Sequence, residues 1–183
     1  MSAENKTRLE VQKILRGIIF KGLEYAGYQV KTPVVDGWDC IEYGSASIQK
    51  MNRVILMNLI GSKRLGWQEV NYATIDRGFK RKDGWNEEQH WQLHIVCKRS
   101  DGIECAEDVA SNLVTWFNGP GCDELRKKGC ASTRIDSDNV IVYNDDSDLY
   151  QKRVVFTVKI QVPKELTMAE VEADAVKPKT MPV

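Results

Sequence analysis

The sequence predicts an α+β domain: a mostly antiparallel sheet with two amphipathic helices packed on one face, a long β-hairpin and extended arms. Three observations predict it. Apolar residues recur at helical spacing in two windows, 7–26 and 103–117. They alternate at period two in 88–97 and 149–162. Between the helical windows, the stretch "GSKRLGWQEVNYATIDRGFKRKDGWNEEQHWQLHIVCK" at 61–98 reads as strand-like runs joined by a charged tip. The resulting order is helix, strand, long hairpin, helix, hairpin, which lays two helices on one sheet face.

The first helix starts at a capping box. Thr7 and Glu10 stand three residues apart, so the Thr7 hydroxyl and the Glu10 carboxylate can satisfy free N–H groups of the first turn. Val11, Ile14, Leu15, Ile18, Ile19, Leu23 and Ala26 then form one stripe, and Gly27 is the expected stop. Gly17 and Gly22 weaken this helix relative to alanine but allow close packing on a sheet. Residues 28–52, with Pro33, Gly37 and Gly44, read as an extended arm containing one short strand.

"RVILMNLIGS" at 53–62 is a strand buried on both faces. A hairpin spanning 62–88 follows, built from "WQEVNYATID" and "EEQHWQLHIVCKR" around the tip "RGFKRKDGW". In its second arm Trp91, Leu93, Ile95 and Cys97 face one way, and His90, Gln92 and His94 the other. The second helix carries Ile103, Ala106, Val109, Ala110, Leu113, Val114 and Phe117, with Asp101 as its candidate N-cap. "NGPG" breaks it, and "CDELRKKG" makes one more short turn closed by Gly129. "NVIVY" at 139–143 and "LYQKRVVFTVKIQV" at 149–162 form the closing hairpin across "NDDSD". The expected organisation is one domain over 1–162 and a tail or docking arm over 163–183, where the core pattern is lost.

Composition excludes several function classes. Twenty-six basic residues balance 26 acidic ones, unlike a dedicated nucleic-acid binder. The N-terminus "MSAENKTRLE" has no apolar stretch, so no signal peptide is expected, and no run is long enough to span a membrane. Five scattered cysteines without a CxxC spacing read as reduced thiols. His90 and His94 are the candidate centre of a metal-dependent enzyme, but no HExxH or carboxylate pattern completes such a site. Asp136, Asp138, Asp145, Asp146 and Asp148 lack the central Gly and terminal Glu of a calcium loop and suit a turn. There is no phosphate-cradling glycine loop and no nucleophile motif. No cofactor, no metal and no catalytic activity are expected.

"IGSKRLGWQEVNY", the charged tip and "EEQHWQLHIVCKR" together resemble the central strands of the tail-terminator and neck proteins of tailed bacteriophages. So does "AEDVASNLVTWFNGPGCDELRKKGCASTRI", a helix and short turn leading into a strand. The closing "YQKRVVFTVKIQV" is similar to the last strand of that family. The resemblance covers residues 7–162, and it departs from the family at the arm 28–52 and beyond Pro163. It implies a non-enzymatic virion protein of the tail or neck, assembled in the host cytoplasm, that forms a homo-oligomeric ring, usually a hexamer. The implied partners are the tail tube protein, the tail sheath protein in contractile phages and the head-tail connector or adaptor proteins. Genomic DNA would pass through the lumen without sequence-specific recognition.

Two other binding roles stay open: a head-side connector or stopper on the portal complex, and a nucleic-acid-binding module using the basic tip. Under the ring reading, the basic segment and the acidic one are complementary patches for head-to-tail subunit contacts. The candidate interface residues are Arg64, Trp67, Tyr72, Lys80, Arg81, Lys82 and Trp85, with Asp145, Asp146 and Asp148 opposite. A solvated hairpin face is the plain alternative for the basic tip.

Overall fold

The Thr7 capping box forms. In the computed structural model the Thr7 amide donates to Glu10 Oε2 at 2.6 Å, and the Glu10 amide donates to Thr7 Oγ1 at 3.2 Å. Residues 6–28, 32–36, 53–75, 78–98, 103–144 and 151–169 are described. Helix α1 spans Arg8–Tyr25, and Gly27 follows it at φ 79°. Strands β1 (Val34–Asp36), β2 (Arg53–Ile75) and β3 (Gly78–Lys98) come next. Helices α2 (Ile103–Asn118) and α3 (Pro120–Lys127) then lead to β4 (Ala131–Asn144) and β5 (Gln151–Ala169). The five strands make one sheet in the order β1-β2-β3-β5-β4, antiparallel except for the parallel pair β1–β2.

Register explains the core. Ile55, Ile95 and Val154 lie level across β2, β3 and β5, as do Met57, Leu93 and Phe156. These rows share one face and pack with Val11, Leu15, Ile19 and Leu23 of α1 and Val109, Leu113 and Phe117 of α2. Trp91 is fully buried in the same core. The intervening residues Val54, Leu56 and Val96 form a small second cluster with Val35. Strand β2 is therefore buried on both faces over Val54–Met57 but not over the whole of 53–62 as expected: past Asn58 it turns outward, and Ile60 is 51% exposed.

Trp116 joins the three helices. Its indole N–H donates to the Ile18 carbonyl of α1 at 3.1 Å. A methyl group on Gly22 would stand 2.7 Å from its ring, and one on Gly121 would stand 2.7 Å from its Nε1. Gly22 therefore serves a close helix–helix contact where the sequence suggested a helix–sheet contact, and nothing lies within 4 Å of a methyl group placed on Gly17. Only a residue without Cβ lets the α1 backbone approach the indole so closely.

Four expectations change. The runs at 53–62 and 67–76 are one strand, continuous through irregularities at Leu59/Gly61 and Leu65/Glu69. The hairpin tip is not "RGFKRKDGW": Ile75 already pairs with Gly78, and Lys80, Arg81 and Lys82 sit inside β3 opposite Ala73, Tyr72 and Asn71. The cause is a bulge in β2, where Gly66 at φ 70° absorbs extra residues and lets pairing resume beyond it. The sheet also continues through Pro163 to Ala169, because β5 keeps pairing with β3 after its apolar alternation has ended. Strand β4 begins at Ala131 instead of 139, with two irregularities that interrupt its side-chain pattern. Asp101, most of the 28–52 arm and the end of the tail from residue 170 lie outside the described residues.

Candidate functional surface

The long hairpin is anchored by charge pairing at the point where it leaves the core. Lys63 pairs with Glu88 and Arg64 with Glu87 in the β2–β3 register, so a basic doublet faces an acidic one. Side chains alternate, so the two pairs lie on opposite faces. On one face Lys63 Nζ is 3.1 Å from Glu88 Oε1, and His90 Nε2 is 2.8 Å from the same oxygen. The hydrogen bond with His90, helped by Lys63, holds the Glu88 carboxyl below the ordinary carboxylate range against the opposing effect of burial.

On the other face the Arg64 guanidinium lies over the Trp85 ring, 4.5 Å from its centroid. Lys164 is opposite Trp85 on β5. Its ammonium donates to the Lys6 carbonyl ahead of α1 and stands 3.7 Å from Glu87 Oε2. Arg64, Trp85, Glu87 and Lys164 thus form a cationic and aromatic ledge beside the N-terminal end of α1. Nearby, burial pushes the Cys130 thiol up, while Lys6 and Lys164 partly offset that effect. Cys122 and Cys130 are free thiols.

Beyond the ledge, three strands run on together. Val70, Asp83 and Leu166 are level, followed by Asn71, Lys82 and Thr167, then Tyr72, Arg81 and Met168, then Ala73, Lys80 and Ala169. Of the residues that sequence reasoning selected, Arg64 and Trp85 are brought into direct contact. The backbones of Tyr72, Lys80, Arg81 and Lys82 are adjacent in the ladder, and Trp67 falls within the Leu65/Glu69 irregularity. The side chains of these five, and Asp145, Asp146 and Asp148 altogether, lie outside the described residues. Glu87, Glu88 and Lys164 were not selected. The signal for the two glutamates was an acidic doublet able to register against Lys63-Arg64, whereas Lys164 falls beyond the point where the apolar pattern stops.

The histidines do not converge. His90 meets Glu88, and buried His94 lies 2.7 Å from Gln92 Oε1 through its own Nε2. Four residues along a strand separate their Cα atoms by about 13 Å, too far for one metal ion. Among the described residues no group of three or more His, Cys, Asp or Glu is arranged to hold a metal, and no helix is long and apolar enough to cross a membrane.

Residues 10–170 match the family described as E217 gateway protein gp29. No curated protein matches the chain.

Proposed function

The chain belongs to the E217 gateway protein gp29 family, a phage family of structural head-tail joining proteins, and from that premise we propose that it acts as a ring at the neck. In this reading, copies associate head to tail into a closed ring, usually a hexamer, that caps the tail tube. The ring docks on the head connector or adaptor proteins and, in a contractile phage, touches the tail sheath. Genomic DNA passes through its lumen without sequence-specific contacts. Assembly takes place in the host cytoplasm, and the ring then stays with the virion.

The observation that supports this most is the three-stranded extension of the sheet past the Arg64–Trp85 ledge. A sheet grows out of a core to reach something, and its basic and aromatic residues suit a protein contact. Zero net charge over the whole chain fits a passive conduit better than a DNA clamp. A head-side connector or stopper on the portal complex is the second reading, favoured because the matched family is described as a gateway.

Negative-stain imaging of the purified protein tests the ring: closed particles with rotational symmetry are expected, and a monomer under all conditions would sink it. Co-purification separates the two readings. Tail tube protein supports the cap, and portal or adaptor protein supports the stopper.

A further inference from the structure

The three-stranded extension ends in two edges that are unlike most sheet edges. Strand β1 reaches β2 only as far as Met57, and β4 reaches β5 only as far as Gln161. Among the described residues, then, no strand flanks the outer edge of Val70–Ala73 on β2 or of Leu166–Ala169 on β5. The two edges stand at the same height, one on each side of Lys80–Asp83 of β3. A free edge exposes backbone N–H and C=O groups and is a template for another strand. Proteins ordinarily blunt such edges with charge or proline. The four residues of each edge beside the fully charged segment "KRKD" of β3, "VNYA" and "LTMA", carry no charge and no proline. The unflanked stretches nearer the core, by contrast, carry Lys63, Arg64 and Glu69 on β2 and Pro163, Lys164 and Glu165 on β5.

We propose that the Leu166–Ala169 edge of one copy pairs with the Val70–Ala73 edge of the next, so that the ring is closed by a continuous sheet. This rests on the ring reading above and specifies its interface. The occupant is a second copy because each edge finds a partner of matching length and neutral character on the chain itself. The two edges also differ in sequence, so their contact is heterologous and can close by rotation. Direction follows from topology. Both β2 and β5 are antiparallel to β3, so they run the same way. Extending a sheet by rotated copies preserves that sense, and the strands at the junction pair in parallel. A symmetric dimer through two β2 edges would instead be antiparallel.

Cysteine pairs test this without ambiguity from within one chain. Strands β2 and β5 are separated by β3, which puts their Cα atoms about 9–10 Å apart. A disulfide needs less than about 7 Å, so a bond between the two edges must join different copies. The panel combines Thr167→Cys with Val70→Cys, Asn71→Cys, Tyr72→Cys or Ala73→Cys, each in the full chain under mild oxidation. Non-reducing electrophoresis should give a ladder from dimer up to the full ring for at least one pair. Thr167→Cys alone and the parent chain, with its five native cysteines, should give none.

Rings visible in micrographs with no ladder from any pair would overturn the edge pairing while leaving the ring intact. Dimers from Asn71→Cys or Tyr72→Cys alone would overturn it in favour of a symmetric contact. A parent chain that sediments only as a monomer would remove the ring reading and this interface with it. Unchanged thermal unfolding of each reduced variant verifies that the fold is kept.

Discussion

The same three strands behave differently at their two ends. Near the helices, β2, β3 and β5 present Ile55, Met57, Leu93, Ile95, Val154 and Phe156 to a core closed by α1 and α2. Past the Arg64–Trp85 ledge the ladder continues through Lys80–Asp83 and Leu166–Ala169, flanked by no further strand among the described residues. Backbone pairing is common to both halves, so it cannot be what distinguishes them. Side-chain chemistry does. In the first half, removal of apolar surface from water stabilises the sheet. In the second, hydrogen bonds that are worth little net in water leave a strand ladder that a partner can complete.

The largest expected effect probes the closed half. Trp91→Ala deletes a fully buried ring and should cost about 3–5 kcal/mol in denaturant unfolding. Leu166→Ala in the extension, where the side chain is exposed, should change stability by no more than about 0.5 kcal/mol. Equal losses at the two positions would break the comparison. Next comes Gly22→Ala, where the new methyl meets the Trp116 ring at 2.7 Å, with an expected cost of about 1–3 kcal/mol and a shift in Trp fluorescence. Gly17→Ala, on the same helix with open space around it, should be neutral or stabilising by up to about 1 kcal/mol.

A smaller loss, about 1 kcal/mol in the same assay, is expected for Thr7→Ala, which removes the hydroxyl that accepts from the Glu10 amide and keeps the backbone amide that donates to the Glu10 carboxylate. Arg64→Ala should cost only about 0.5–1 kcal/mol of stability, the worth of an exposed cation–π contact. Its assembly state, read by sedimentation, should nevertheless fall. Full assembly with Arg64→Ala would remove the ledge from the interface.

The smallest effect is set by pH. Lys127 first, and then Lys21, hold the Glu124 carboxyl at about 2, below its ordinary 4.5. A carboxyl lowered by folding stabilises the protein above its unfolded value, and that contribution fades as pH falls through the folded one. The thermal midpoints of parent and Glu124→Gln should therefore differ slightly at neutral pH and converge towards about pH 2. Salt should shrink the difference, since Lys21 and Lys127 are exposed.

Much of this fold was legible from periodicity. The stripe of α1, the capping box, the Gly27 stop and the alternation of Trp91, Leu93, Ile95 and Cys97 each follow from one local rule. Burial on both faces was readable for Val54–Met57, where four apolar residues follow one another, but the expected burial of the rest of 53–62 fails past Asn58, where Ile60 is exposed. The head-tail joining family was reached from the order of elements and agrees with the family match, although the tail-terminator role is a narrower statement than that match carries. Arg64 and Trp85, both chosen as interface candidates, touch each other within the chain. The tip was misplaced because a turn signal competes with strand pairing, and Gly66 decided in favour of pairing by absorbing the surplus residues.

The sequence by itself determined the two main helices and the core halves of β2, β3 and β5, because hydrophobic period is a property of neighbouring residues. It also determined that charge is balanced and that no known catalytic motif is written into the chain. Tertiary structure alone decided that Gly22 exists for Trp116, since that close approach joins two helices far apart in the chain. It likewise decided that Pro163 does not end β5, that Lys164 joins the ledge, and that two uncharged edges stand level on either side of a charged strand. Register is the reason. Which residues become neighbours across a sheet depends on bulges and pairing partners far away in the chain, and no local pattern encodes that.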